Sequence, residues 1–282
     1  MTPRQHHLRY LLAGGFHSLA WTEWGPADGA PVVCVHGLTR LGRDFDVLAQ
    51  ALAERGRRVL CPDLPGRGAS DRLPDPMLYT PPSYVVALAH LLARLDGPVD
   101  WIGTSLGGIC GMMVAAGSGQ PIRRLVLNDI GSRVPDTAAA RIAAYVKLPL
   151  AFEDMPALEA HLRQVHAPFG PLTPGQWRHL AETSARPLPD GRIGLHYDHA
   201  IAVPFEPAPT GPVDLSFVWS RVMVPTLVLR GAESDVLDAD TAAEMARRPG
   251  VELVTLPGIG HAPALMDPGQ IARVVGFLEA RD

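Results

Sequence analysis

Apolar runs of strand length alternate with amphipathic segments of helical period along most of the chain, and this rhythm constrains the fold more than any other feature. The runs are "PVVCVHG", "RRVLCPD", "PVDWIGT", "RRLVLND", "VPTLVLRG" and "VELVTLPG". Between them lie "RDFDVLAQALAERG", "SYVVALAHLLARL", "SLGGICGMMVAAGSG" and "DADTAAEMARR", and "DPGQIARVVGFLEA" closes the chain. In "RDFDVLAQALAERG", Phe45, Leu48 and Leu52 share a face and Gly56 ends the pattern. A strand followed by a helix and another strand in the same sheet makes a crossover unit, so the expected core is α/β with a mostly parallel sheet. "LRYLLAG" and "HSLAWTEW", split by Gly15, read as an antiparallel hairpin that opens it.

The rhythm stops after Asp129. Residues 131–215 show no strand alternation and are rich in proline and short amphipathic helices, such as "TAAARIAAYVKLPLAF". In "TPGQWRHLAETSA", Thr173 is placed to cap a helix, Pro174 stands at its first position and Gln176 completes a capping box. The expected organisation is a core of residues 1–130 and 216–282 with a helical insert over 131–215. Ligands of open α/β sheets bind at the carboxyl ends of the strands, and an insert at that edge is placed to be a lid.

Composition removes several function classes. The formal net charge is −4, and no run of Lys and Arg offers itself to a phosphate backbone, which argues against nucleic acid as a partner. Cys34, Cys61 and Cys110 have neither metal-ligand nor C-x-x-C spacing; an odd number of thiols, two in apolar runs, fits a reducing compartment. The apolar run in "MTPRQHHLRYLLAGG" is too short for a signal peptide, and no stretch approaches the ~18 apolar residues of a membrane span. A cytoplasmic protein without a membrane partner is expected. No His/Cys/Asp/Glu cluster has metal spacing and no cofactor signature occurs, so the expected chemistry uses neither.

Chemistry is concentrated in "WIGTSLGGICG", residues 101–111, where Ser105 stands between Gly103 and Gly107 at a strand-to-helix junction. Three readings compete: a nucleophile, a phosphate cradle, or a small residue in a turn. The cradle needs G-x-x-x-x-G-K-[ST] or G-x-G-x-x-G, and neither fits, because no Lys follows and Ser105 fills the position of a required glycine. A G-x-S-x-G match is expected by chance roughly 0.1 times in a chain of this composition, so the serine needs partners elsewhere.

Six segments, "VCVHGL", "CPDLPGRGAS", "IGTSLGG", "LVLNDIG", "LVLRGAESDVL" and "LPGIGHAP", occur in an order that resembles the α/β-hydrolase superfamily, and they span nearly all of the chain outside the insert. The resemblance implies a serine-nucleophile hydrolase with a helical cap inserted after the sixth strand. It makes Ser105 the nucleophile of a strained elbow and His261, in "GIGHAP", its general base. The third member is expected at Asp235, which completes the order Ser…Asp…His, with Asp129 as the alternative acid. The oxyanion hole is implied at the backbone N–H groups of Leu106 and Leu38. His36 is expected to buttress its loop, Glu233 to be solvated and Asp238 to cap a helix. Asp63, Gly66, Gly68 and Ser70 read as turn chemistry, with Arg67 on the surface or reaching a substrate carboxylate.

The activity implied is cofactor-free hydrolysis of a carboxylic ester or related small-molecule acyl substrate through an acyl-enzyme. Lactone hydrolysis and C–C cleavage of a vinylogous diketone use the same triad and are the alternatives. A receptor-like member that binds a ligand without turnover is the non-enzymatic one. Arg133, His166 and Trp177 are lid residues that no spacing rule places in or out of a pocket, and the oligomeric state is open.

Overall fold

A computed structural model describes residues 2–146, 151–205 and 211–280. The central sheet is built from β1 (Arg4–Leu12), β2 (Gly15–Trp24), β3 (Pro31–Val35), β4 (Arg58–Pro62), β5 (Val99–Thr104) and β6 (Ile122–Asn128), and is completed by β12 (Thr226–Gly231) and β13 (Val251–Leu256). Its order is β1-β2-β4-β3-β5-β6-β12-β13. The opening hairpin pairs antiparallel, from Arg4 opposite Glu23 to Leu12 opposite Gly15, and β2 joins β4 antiparallel; the remaining pairs are parallel.

The period-2 pattern of the strands explains why both faces must be covered. Val33, Val35, Leu125, Leu127 and Val228 pack on one side of the sheet, with α2 (Pro81–Leu92), α3 (Leu106–Ala115) and α8 (Ala239–Ala246). Their neighbours Val32, Cys34, Val126, Leu227 and Leu229 pack on the other, against α1 (Asp46–Ala53) and α9 (Pro268–Glu279). All ten are at most 1% exposed, and burial of each aliphatic side chain contributes about 1.5–3 kcal/mol. The three cysteines are buried and unpaired, Cys34 and Cys61 within β3 and β4 and Cys110 within α3.

Between β6 and β12 the chain departs from pure helix. It forms α4 (Asp136–Val146), α5 (Met155–Val165) and α6 (Pro174–Ser184), then α7 (Ser216–Trp219) leads back to the core. Residues 147–150 of the helical stretch expected in "TAAARIAAYVKLPLAF" lie outside the described residues, and α4 covers the described part as far as Val146. Thr173 and Gln176 make both bonds of the expected capping box. The segment also holds short strands that sequence periodicity did not indicate. A three-stranded sheet orders β8 (Ala151–Phe152), β10 (Ile193–Leu195) and β9 (Ala185–Pro187), and β7 (Arg133–Val134) pairs with β11 (Val213–Asp214). Strands of two or three residues are too short to show an alternation. Among the described residues, no helix is long and apolar enough to cross a membrane.

Candidate active site

Three loops at the carboxyl ends of β5, β6 and β13 converge on one point. Between β5 and α3 the chain turns within a single residue, Ser105, whose φ of +52° lies in the left-handed region. Such a conformation costs a non-glycine residue about 1–3 kcal/mol. Its surroundings hold it there: Ser105 N–H donates to the Asn128 carbonyl at 3.0 Å, and its own carbonyl accepts from the N–H groups of Gly108 and Ile109. The turn explains two glycines. A Cβ on Gly103 would overlap the carbonyl of Gly107, and one on Gly107 would overlap the carbonyl of Val35. Trp101, fully buried in β5, ties the strand to the helix through an indole N–H bond to the Gly107 carbonyl.

The hydroxyl of Ser105 lies 2.9 Å from Nε2 of His261, which stands in the loop between β13 and α9. The opposite ring nitrogen, Nδ1, lies 2.7 Å from Oδ2 of Asp129, the residue that follows β6. A carboxylate can only accept, so Nδ1 carries the proton and Nε2 is left to accept from the serine hydroxyl. Asp129 is fully buried and firmly held: Oδ1 accepts from Gly231 N–H at 2.8 Å and Oδ2 from the Ser234 hydroxyl at 2.5 Å. The His261 loop is fixed in turn, with Asn128 Nδ2 donating to the Pro263 carbonyl and to Thr104 Oγ1. Gly260 N–H donates to the Pro168 carbonyl, which anchors the inserted segment to the same loop.

The expectation that Asp235 orients His261 is therefore corrected. Asp235 is exposed and pairs with Arg141 through Nε at 2.6 Å and Nη2 at 3.0 Å. The loop after β12 explains this. Ser234 turns back to Asp129 while Val236 and Leu237 are drawn into the core, so the residue between them points outward. The acid at His261 is the alternative, Asp129. Glu233 is exposed, and Asp238 caps α8 by accepting from Thr241 N–H.

Leu38 follows Gly37 in the loop after β3, and a Cβ on Gly37 would lie 3.7 Å from that of Ser105. Leu38 and Leu106, the first residue of α3, line one cavity with Ser105. His36 is buried beneath this loop; Nε2 accepts from Leu64 N–H at 2.9 Å, and Nδ1 lies 2.6 Å from the Gly37 carbonyl. Burial lowers its pKa to about 3, so the ring is neutral and donates through Nδ1. It buttresses the loop, as expected.

Arg67 is not at the surface. Only 1% exposed, it donates to the carbonyls of Leu38 at 2.8 Å and Pro65 at 2.7 Å and to the Tyr84 hydroxyl at 2.8 Å. Asp63 accepts from the N–H groups of Gly42 and Ala69, the turn role expected of its loop, and burial raises its pKa to about 6. Of the three residues expected in a lid, His166 lines a cavity with Ser105 and His261. Arg133 pairs with Glu244 at the surface, and Trp177 is buried against Leu180 and Met266. Sequence spacing carried no signal for Arg40, Arg141 and Tyr145, which share the wall with His166.

The arrangement is able to remove a proton from a serine hydroxyl next to a concave surface. Relatives of the chain use the same scaffold for hydrolysis. It is 44% identical to the 3-hydroxybutyrate-oligomer hydrolase of Cupriavidus necator, over 96% of each chain. It is similar to the crystal structure of an alpha/beta hydrolase from Novosphingobium aromaticivorans, with a TM-score of 0.88 and 40% identity over 99% of both chains. A solved structure from Rickettsia typhi superposes over the full length of both chains with a TM-score of 0.92 at 27% identity. The family model for the alpha/beta hydrolase family matches residues 32–274. The protein is thus a hydrolase, and its chain belongs to the alpha/beta hydrolase family.

Proposed function

We propose that the protein hydrolyses carboxylic esters by covalent catalysis, with short oligomers of 3-hydroxybutyrate as its substrate. The observation that carries the reading is the continuous line of hydrogen bonds from Ser105 through His261 to Asp129. His261 takes the serine proton at Nε2 as Oγ bonds to the ester carbon. Asp129 holds the imidazole in the tautomer able to do so and stabilises the imidazolium that forms. The oxygen of the tetrahedral intermediate meets the N–H groups of Leu106 and Leu38, and the positive end of α3 adds to their effect. Collapse breaks the ester C–O bond, His261 gives its proton to the leaving alcohol, and water then releases the acyl group by the same steps reversed.

The nine-tenths coverage shared with the Cupriavidus relative supports the choice of substrate. An oligomer of a hydroxy acid also suits a serine that opens on two cavities, one for each side of the scissile ester. The test is turnover of 3-hydroxybutyrate dimer and trimer beside p-nitrophenyl esters of rising chain length, a lactone series and a vinylogous diketone, with S105A as the blank. The oligomers are expected to be consumed by the native protein and left intact by S105A. Turnover of the diketone with none of the esters would replace this reading by C–C bond hydrolysis.

A further inference from the structure

The two cavities that meet at Ser105 differ in chemistry. The larger, about 310 Å³, is walled on the α3 side by apolar groups that include Leu106, Ile109, Ile130 and Val236, and by Phe205 from the inserted segment. The smaller, about 80 Å³, contains His261 and is polar on its far wall, where Thr39, Arg40, Arg141, Tyr145 and His166 come together. Arg40 is 6% exposed and bonds Asp44 through Nε and Nη2, both at 2.7 Å. Arg141 bonds Asp235 through the same two nitrogens. In both pairs Nη1 stands outside the fork, with its donors uncommitted to the carboxylate. Tyr145 and Thr39 both line this cavity. His166 is kept neutral, because burial and the charge of Arg40 hold its pKa well below the usual range.

Reaction geometry decides which half of an ester enters which cavity. His261 must reach the leaving oxygen to protonate it, so the leaving alcohol departs on the histidine's side, into the smaller cavity. The acyl half then lies in the larger, apolar one. A wall with two guanidinium groups, each with Nη1 outside its bond to Asp44 or Asp235, is suited to a carboxylate, which accepts charge-assisted N–H bonds more strongly than an uncharged alcohol does. We infer that the smaller cavity is a subsite for a carboxylate on the leaving alcohol, with Arg141 and Arg40 as its donors, so that the protein cleaves the ester next to the free carboxyl end. This rests on the ester-hydrolase reading above and adds the direction of attack. Each cycle forms the Ser105 Oγ–acyl bond, breaks the bond to the terminal unit, and transfers the serine proton through His261 to that unit's oxygen. One hydroxy acid leaves with its carboxylate unchanged. Water then divides between the acyl group and Ser105 to restore the enzyme.

The experiment compares 3-hydroxybutyrate dimer with its methyl ester, identical on the acyl side, in the native protein, R141Q and R141K. Arg141 is half-exposed, so its replacement leaves the core intact. The native protein is expected to prefer the free acid by about tenfold or more in kcat/KM, chiefly through KM. R141Q is expected to lose most of that preference and R141K to keep part of it. In trimer labelled at the carboxyl-terminal unit, the label is expected first in free monomer. Equal turnover of acid and methyl ester by the native protein, or an equal loss on both in R141Q, would overturn the carboxylate subsite while the ester-hydrolase reading stands. If the native protein consumes neither compound, the ester-hydrolase reading itself fails, and this inference with it.

Discussion

Asp129 and Asp235 show how much depends on a single side chain's direction. Both follow strands of the central sheet and both were candidates for the same role, yet one is fully buried and the other faces solvent. Asp129 receives bonds from Gly231, Ser234 and His261, so every oxygen of the carboxylate is occupied as the charged form requires. D129N replaces an acceptor with a donor and favours the wrong imidazole tautomer, and loss of about 10³–10⁴ in kcat is expected. D235N is expected to cost at least a hundredfold less on an uncharged p-nitrophenyl ester. Steady-state kinetics of the two variants on that ester decide the matter, and a larger loss in D235N would return the role to Asp235. The order of residues in the chain pointed to Asp235. What it could not convey is that Ser234 turns inward and thereby forces its neighbour out. Arg67 was illegible for a related reason. Its burial depends on Tyr84, and its stacking on Tyr79 and Tyr84, residues that a helix and a preceding turn bring over the loop.

At the scale of elements, the strand–helix rhythm was readable because burial on both faces demands it. The elbow was readable because few residues tolerate its geometry. The short strands of the inserted segment were not, since pairing of two or three residues leaves no period in the sequence. The loops after β3 and β4 are joined by His36, whose ring bonds the backbone of both Gly37 and Leu64. Its pKa falls from 6.5 to about 3 on folding, so its contribution to stability is present above about pH 6.5 and is lost as the pH drops toward 3. Asp63, raised to about 6, acts in the opposite sense, with stability lost as the pH rises through that value. H36N offers one acceptor and one donor without titrating, and it leaves Asp63 in place. The stability of the native protein relative to H36N is expected to fall by up to about 1.4 kcal/mol per pH unit between pH 6 and 4. Urea unfolding of both proteins across that range measures it; a difference independent of pH would mean that His36 is not held neutral by burial.

In the whole molecule, one sheet delivers the reacting groups and the inserted segment completes the walls around them. Ser105, Asp129 and His261 come from three separate strand ends, while Arg141, Tyr145 and His166 come from the segment between β6 and β12. The pattern of the core could be read from the sequence because it follows from periodicity; the composition of the cavities could not, because it depends on how that segment docks. The proposed mechanism depends on an acyl group carried by Ser105. Rapid quenching of p-nitrophenyl butyrate turnover followed by mass analysis looks for that group. A butyryl adduct is expected on the peptide that contains residues 101–111 and is expected to be absent from S105A; ester turnover by S105A at the native rate would rule the acyl-enzyme out.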